Sequence, residues 1–240
     1  SDFDVRQCKK RVAFARRYLH KTEAQWSRDL QAVADIKEFT FYPPDLKPRM
    51  KRIRSRWTYM TDEEKYQPAF QRPKRWFKKS DWKRTRKQKV FGFTTSTGQK
   101  LAFLVPQPWS NEEWAVEIRN RVGPFLRSSF PGRRRFQVLL DGEGLLHAPA
   151  AKAAMEEVGI TVLPGWPSYS PDLNPQENVW GWAEERLRDL ELDSDTFGQF
   201  QEKVMRAVMQ YPIESGAKLI PAVGKRLKEV IEKDGAALKY

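Results

Sequence analysis

Cysteine, histidine and long apolar runs are scarce in this sequence of 240 residues. The single cysteine, Cys8, excludes an internal disulfide and a cysteine-based zinc site. Two histidines leave few ligands for a histidine-based zinc site. No stretch approaches the roughly 20 apolar residues that a membrane-spanning helix needs, and the first residues, Ser1 to Asp4, do not resemble a signal peptide. We therefore expect an intracellular protein without membrane contact.

Acidic residues are few relative to basic ones. The sequence holds 44 lysines and arginines against 31 acids, which gives a formal net charge of +13 and a pI near 9.8. The length suits one large domain with a substantial core. A basic excess of this size in one domain favours a polyanionic partner over charge that serves solubility alone. We therefore predict that the partner is nucleic acid.

The apolar periodicity predicts an alternation of helices and strands. Helices are expected over about 6–30, 111–130, from 149, over 175–190 and in two further segments before Gly235. Strands are expected over 32–42, in a hairpin of 90–94 with 101–105, and over 136–140 and 160–163. This order predicts an α/β domain with a mixed sheet, in which antiparallel strands come first and parallel crossovers follow.

Two carboxylates bracket the β-helix-β unit around which the sequence is organised. The run Phe136–Leu140 stops at Asp141, and a proline-rich loop after the next strand leads to Glu177 at the start of a helix. Open α/β sheets place their sites at the carboxyl ends of the strands. A third acid, Asp35, lies inside the first strand, where the strand pattern alone favours the solvent face.

Carboxylates gathered without histidine or cysteine select Mg²⁺ or Mn²⁺ rather than zinc. Their mutual repulsion makes such a cluster stable only with cations bound. Two ions about 3.5–4 Å apart support in-line phosphoryl displacement. Spacing alone leaves this a hypothesis, because two acids at the separation of Asp141 and Glu177 often arise by chance.

Basic residues interleaved with tryptophan predict a nucleic-acid surface over 72–89, because such surfaces follow a phosphate backbone and stack on bases. A charged run is also the usual form of a solvated face, and the tryptophans could instead fill the core. Three further arginines precede the strand that ends before Asp141. The predicted nucleic-acid contacts are Arg72, Lys74, Arg75, Trp76, Lys78, Lys79, Trp82, Lys83, Arg84, Arg86, Lys87, Arg133, Arg134 and Arg135.

The stretch Ser170–Trp180, with the sequence Ser-Pro-Asp-Leu-Asn-Pro-Gln-Glu-Asn-Val-Trp, strongly resembles the third-carboxylate motif of mariner-like DDE transposases. Ile160–Pro164 precedes it at the usual place, Phe14–Arg16 with Trp26 are similar to the segment before the family's first aspartate, and the tail from Arg226 resembles a family C-terminus.

The resemblance implies an RNase H-like fold with Asp35, Asp141 and Glu177 as a catalytic triad that holds two Mg²⁺ or Mn²⁺ ions. It also implies DNA cleavage and strand transfer in the nucleus, by a homodimer. Residues 1–240 are expected to form one catalytic domain, with a helical lead-in over 1–30 and C-terminal helices over 191–240. The family's N-terminal helix-turn-helix region is expected to be absent.

Two local departures from the family pattern leave alternatives open. The family usually has an acid directly after the first aspartate, whereas Ile36 follows Asp35. Asp62 is therefore a rival first carboxylate. The segment after Asp141 is one residue longer than usual, so His147 is either an accessory residue near the metals or a helix cap. Asn174 is a second accessory candidate.

Two other functions compete with strand transfer. A domesticated, catalytically idle module that binds nucleic acid or scaffolds an assembly would fit the missing helix-turn-helix region and the altered surroundings of Asp141. The intact triad argues against it, because an idle descendant has no chemical reason to keep three acids. A ribonuclease H-type nuclease for RNA–DNA hybrids would share the chemistry but not the Asn174–Glu177 signature.

Overall fold

A mixed five-stranded sheet forms the centre of the computed structural model, which describes residues 4–46, 79–140, 144–168, 170–192 and 194–238. The strand order is β3-β2-β1-β4-β5. Strand β1 pairs antiparallel with β2 and parallel with β4, β3 is antiparallel to β2, and β5 is parallel to β4. The strands are β1 (Ala32–Phe41), β2 (Arg86–Thr95), β3 (Lys100–Val105), β4 (Phe136–Leu140) and β5 (Ile160–Val162). The predicted α/β class and mixed sheet are confirmed.

Helices cover the two faces of this sheet. The helices are α1 (Val5–Tyr18), α2 (Glu23–Asp29), α3 (Lys79–Arg84), α4 (Asn111–Glu117), α5 (Gly123–Ser129), α6 (Pro149–Val158), α7 (Gln176–Leu190), α8 (Phe197–Met209), α9 (Ile213–Gly216) and α10 (Val223–Glu232). On one face of the sheet, α4, α5 and α6 pack on Ala32 and Ala34. On the other face, α1, α2 and α10 pack on Val33, while α7 and α8 pack on Phe39. In the part of the chain that the structure describes, no helix is both long and apolar enough to cross a bilayer.

The predicted helix over 111–130 is interrupted by one π-helical turn, Ile118–Val122, between α4 and α5. The backbone N–H of Gly123 donates to the carbonyl of Ile118, five residues earlier. Pro124 explains the change, because proline has no N–H and its ring clashes with the carbonyl four residues before it. The apolar stripe survives this turn, and Trp114, Ile118 and Val122 are all buried.

Strand β2 begins at Arg86, four residues before the predicted start at Val90. The added residues pair with the end of β1, where Arg86 lies opposite Phe41. Arg86 and Lys87 are exposed, Gln88 is buried and Lys89 is half-buried, so the added residues carry no apolar alternation that would reveal the strand.

The register of β1 and β4 fixes where the predicted site lies. Ala34 pairs with Leu140, the last residue of β4, and Asp35 is the next residue of β1. Asp35 is 7% exposed, so its expected position on a solvent face is wrong. Helix α7 covers this part of the sheet and buries the carboxylate, and strand alternation cannot reveal a cover that comes from elsewhere in the chain.

Two glycines provide a matched test of tertiary packing around the β2–β3 turn. Gly98 and Gly132 have nearly the same left-handed φ, +82° and +81°. A Cβ on Gly98 would lie 2.0 Å from the carbonyl oxygen of Ile213, whereas a Cβ on Gly132 would meet nothing within 4 Å.

We therefore expect Gly132→Ala to lower the free energy of unfolding by about 1–2 kcal/mol, the cost of left-handed backbone in alanine. Gly98→Ala should cost about 2 kcal/mol more, because the turn must move away from α9. Urea unfolding of both variants measures the difference. Equal losses of unfolding free energy in the two variants would show that the turn at Gly98 is not in close contact with α9.

Candidate active site

A hydrogen bond from Trp180 ties the buried carboxylate of Asp35 to α7. The indole Nε1 of Trp180 donates to Oδ2 of Asp35 at 3.1 Å, and both residues are buried. Oδ1 of Asp35 accepts the backbone N–H of Ile36 at 2.8 Å. These two bonds fix the orientation of the carboxylate.

Glu177 lies one turn before Trp180 on the same helix. Residues three apart share a helix face, with their Cβ atoms about 5–6 Å apart. Glu177 is half-buried in the first turn of α7. Because Trp180 contacts Asp35, the first turn of α7 and the middle of β1 meet at one place, and the structure brings Asp35 and Glu177 to the same region.

A glycine makes the close approach of Trp180 to the sheet possible. Gly92 lies opposite Asp35 in β2, and a Cβ built on it would be 2.2 Å from the Trp180 ring. The ring also packs edge-on against Phe39, with centroids 6.2 Å apart. The Trp180 ring therefore occupies the space that a side chain at position 92 would fill.

Polar contacts fix the start of α7 on β2. The buried Gln176 accepts a hydrogen bond from the hydroxyl of Thr94 at 2.8 Å. Its backbone N–H donates to Oδ1 of Asn174 at 3.1 Å. Asn174 is 2% exposed, and its Nδ2 has no hydrogen-bond partner within the described ranges. Its accessory role stays a prediction.

Asp141 and the rival Asp62 both lie outside the described residues. Asp141 directly follows Leu140, which pairs with Ala34 next to Asp35. Across the described segments, no three histidine, cysteine or acidic side chains come together in a way that could hold a metal ion. His147 is half-buried at the end of the 3₁₀ helix Gly144–His147, and its accessory role also stays a prediction.

A buried ion pair holds the loop that leads to Glu177. Arg11 is fully buried, and its guanidinium donates through both Nη atoms to the carboxylate of Asp172, with an Nη1–Oδ1 distance of 2.8 Å. Arg11 also donates to the backbone carbonyls of Gly235 and Ala236. The N–H of Leu238 donates to Oδ2 of Asp172 at 2.8 Å. The first helix and the tail therefore meet on one motif residue.

Arg226 joins this network from α10. It donates to the backbone carbonyl of Asp172 at 3.0 Å and to the side-chain oxygen of Asn178. Asp172 lies in the 3₁₀ turn Pro171–Leu173, and Asn178 lies in the first turn of α7. Arg226 therefore bridges the motif loop and the helix that carries Glu177. Sequence reasoning assigned no role to Arg11, Asp172 or Arg226.

One signal for this network was present in the sequence. Arg11 shares the buried face of α1 with Phe14, Ala15 and Tyr18, at helical spacing. A charged residue in an apolar stripe needs a buried counter-charge. The pattern did not identify Asp172, which lies 161 positions away.

The predicted nucleic-acid residues over 72–89 are only partly described. Arg72, Lys74, Arg75, Trp76 and Lys78 lie outside the described residues, as do the side chains of Lys79 and Trp82.

The other four residues of this segment are exposed, and three of them have protein partners. Arg84 pairs with Asp45 and Lys87 with Glu38, while the guanidinium of Arg86 lies 3.7 Å from the ring centroid of Phe197. Lys83 is exposed at the end of α3. Their role in nucleic-acid binding stays a prediction.

The arginines Arg133 to Arg135 are exposed and directly precede β4. Asp141 follows the other end of this strand. The arginines therefore lie at the sheet edge opposite the one where β4 ends beside Asp35. Arg133 donates to the backbone carbonyl of Arg28 at 3.4 Å. A contact with nucleic acid there, which remains a prediction, would lie away from the proposed triad.

The Arg11–Asp172 pair should contribute far more than an exposed pair of similar geometry. Asp172→Asn leaves Arg11 buried without its counter-charge, so we expect a loss of about 3–5 kcal/mol in the free energy of unfolding. Arg11→Met in the same protein should recover part of that loss, because the buried charge is removed. A double-mutant cycle by urea unfolding measures the coupling.

The matched control for this cycle is the bidentate pair of Arg119 and Glu157, whose side chains are 40% and 54% exposed. An exposed pair should couple by about 1 kcal/mol or less. Equal coupling in the two cycles would contradict the structural role given to Asp172.

Comparison with known proteins gives the family. A family model described as DDE superfamily endonuclease matches residues 57–201, a range that includes Asp62, Asp141 and Glu177 and begins after Asp35. The Tc1 transposase of Caenorhabditis elegans is 37% identical over 76 residues, and the Tcb1 transposase of Caenorhabditis briggsae is 34% identical over 77. Each match covers 31% of this chain and 27% of the relative, so the chain spans well under half of their length.

Solved structures show the same fold. The Mos1 transposase catalytic domain, solved with raltegravir and Mn, superposes over 100% of both chains with a TM-score of 0.66 and 15% identity. A Mos1 paired-end complex with the left transposon end matches 100% of this chain and 65% of that one, with a TM-score of 0.65 and 18% identity. The predicted RNase H-like fold is confirmed. Because the family model covers more than half of its residues, the chain belongs to the DDE superfamily of endonucleases.

Proposed function

We propose that this chain cleaves DNA and transfers the freed strand to a target, as the catalytic domain of a mariner-like DDE transposase. Asp35, Asp141 and Glu177 would hold two Mg²⁺ or Mn²⁺ ions. The hydrogen bond from Trp180 to Asp35 is the observation that carries the proposal, because it ties the first aspartate to the helix of Glu177.

The donor set suits these ions. Asp35 and Glu177 offer hard carboxylate oxygens, which Mg²⁺ and Mn²⁺ prefer. Asp35 is held in one orientation by Trp180 and by the N–H of Ile36. Ligands whose orientation is fixed before the ion arrives bind it with less loss of side-chain freedom. Two such ions activate an attacking oxygen and stabilise a leaving one at phosphorus.

The surrounding residues would hold the carboxylates of the proposed triad in fixed positions relative to one another. Gln176, through Thr94, holds the start of α7 on the sheet, and Arg226 holds Asn178 in the first turn. Both contacts flank Glu177 in sequence, so they limit the movement of its backbone. The chain would therefore contribute rigid positioning of the carboxylates.

We propose Asp35 rather than Asp62 as the first aspartate. The family match begins at residue 57 and includes only Asp62 of the two. Asp35 nevertheless has three supporting features: it is buried, it lies beside the end of β4, and it contacts the helix of Glu177. Burying a carboxylate without a cation costs stability, and a bound metal ion would supply that cation to Asp35.

DNA is the proposed substrate, and a second copy of the chain is the proposed partner. The net charge of +13 suits a polyanion, and Mos1 transposase, which has the same fold, was solved as a paired-end complex with the left transposon end. The helices and strands from α1 to α10 would form one catalytic domain. Action on chromosomal DNA would place the protein in the nucleus.

Metal binding tests this proposal directly. We expect Mn²⁺ titration by calorimetry to show binding in the wild type and an increase of at least about 10-fold in Kd for Asp35→Asn, Asp141→Asn and Glu177→Gln, because each removes a proposed ligand. Asp62→Asn should bind like the wild type. Glu185→Gln, an exposed acid on the same helix, is the matched control.

Nicking of supercoiled plasmid DNA should fall with metal affinity across the same variants. Loss of Mn²⁺ binding in Asp62→Asn but not in Asp35→Asn would transfer the first ligand to Asp62. A wild type that binds no Mn²⁺ even with DNA present would favour the idle nucleic-acid-binding module instead.

A further inference from the structure

Helix α1 carries a stripe of exposed cations. None of its 14 residues is acidic, and every basic residue other than the buried Arg11 is exposed. We call these residues the α1 stripe: Arg6, Lys9, Lys10, Arg16 and Arg17.

The stripe occupies one face of the helix. At 100° per residue, its members fall within an arc of about 120°. The opposite face holds Phe14, Ala15 and Tyr18, which are buried against the sheet and α10. From Arg6 to Arg17 the stripe extends roughly 16 Å along the helix axis, at 1.5 Å per residue. Because the opposite face of α1 is packed in the core, the rotation of the helix is fixed and the stripe faces solvent.

Within the described segments none of the stripe cations forms an ion pair, whereas Arg84 and Lys87 of the predicted surface pair with acids. The guanidinium carbon of Arg17 lies 5.5 Å from the centroid of the Tyr18 ring. Five like charges on one face repel one another, which a bound polyanion would relieve.

The stripe lies beside the loop that leads to the proposed site. The Gln7 side-chain amide donates to the backbone carbonyl of Ser168, and the Tyr18 hydroxyl donates to the carbonyl of Pro164 at 3.2 Å. Phe14 packs edge-on against Trp166 at 5.3 Å. Both ends of α1 therefore contact the segment between β5 and the motif, and the Arg11–Asp172 pair holds the helix to that motif.

We propose that the α1 stripe binds the phosphate backbone of duplex DNA beyond the point of cleavage. This deepens the proposed function and rests on it for the identity of the polyanion. Duplex DNA carries one charge per about 1.7 Å of axis with both strands counted, so roughly 16 Å of duplex holds on the order of nine phosphates, and those on the near side would face the stripe. The contact would add affinity and orientation without sequence preference.

A charge-neutralised variant tests this surface. Lys9→Gln, Lys10→Gln, Arg16→Gln and Arg17→Gln are combined, since glutamine preserves helix propensity. The control removes four exposed charges elsewhere by the same change to glutamine, at Arg127, Lys152, Arg188 and Lys218. Binding to a labelled duplex is measured by fluorescence anisotropy in EDTA over a range of salt concentrations.

We expect the stripe variant to raise the Kd for duplex at least about 10-fold and to reduce the slope of log K against log salt by roughly 2–4, since each lost phosphate contact removes about 0.9. The control should change both far less. Urea unfolding should show that the stripe variant loses no more than about 1 kcal/mol, because its side chains are exposed and the contact of Arg17 with the ring of Tyr18 is worth about 0.5–1 kcal/mol at an exposed site.

A stripe variant that binds duplex as the control does would overturn the proposal. The same assay with labelled poly-glutamate separates a protein partner from DNA: a stripe variant that keeps its affinity for duplex but loses binding to poly-glutamate would overturn the proposal in favour of an acidic protein surface. Because EDTA removes divalent ions from the assay, the result does not depend on metal binding. A wild type that binds no Mn²⁺ would contradict the proposed catalysis, but the DNA-binding result would still test the α1 stripe.

Discussion

The buried pair of Arg11 and Asp172 is the interaction on which the rest of the site depends. A buried ion pair stabilises a protein only when its remaining donors and acceptors are satisfied. Here the backbone of Gly235, Ala236 and Leu238 supplies those partners, so the pair is complete only when the first helix, the motif loop and the tail are all in place. Parts of the chain far apart in sequence therefore fold onto a single carboxylate.

A chain of contacts connects this ion pair to the proposed metal ligands. Asp172 begins the segment that ends at Glu177, and Arg226 holds both the carbonyl of Asp172 and the first turn of α7. Trp180, on the next turn, fills the space left by Gly92 and reaches Asp35. The acids thus lie on a strand and a helix whose relative position is determined by packing, the arrangement that keeps metal ligands oriented before an ion binds.

Periodicity predicted the fold well and the site only in part. Apolar runs located β1, β4 and β5, and an apolar helical stripe located α7, because these elements contribute buried side chains to the core. Alternation did not predict that Asp35 is buried, since its cover, Trp180, is 145 positions away. The π-helical turn before Pro124 was not predicted either, although proline lacks the N–H that a regular helix needs there. Arg11 was visible as a charge in an apolar stripe, but long-range pairing is not encoded in local spacing.

The most direct test of the central claim is anomalous diffraction from crystals soaked in Mn²⁺. We expect an anomalous peak about 2.0–2.2 Å from carboxylate oxygens of Asp35 and Glu177, the distance typical of a hard divalent ion of this kind. The indole of Trp180 should still donate to Asp35 in that structure. A peak ligated by Asp62 and Glu177, with Asp35 remote from the ion, would show that Asp35 is not a metal ligand.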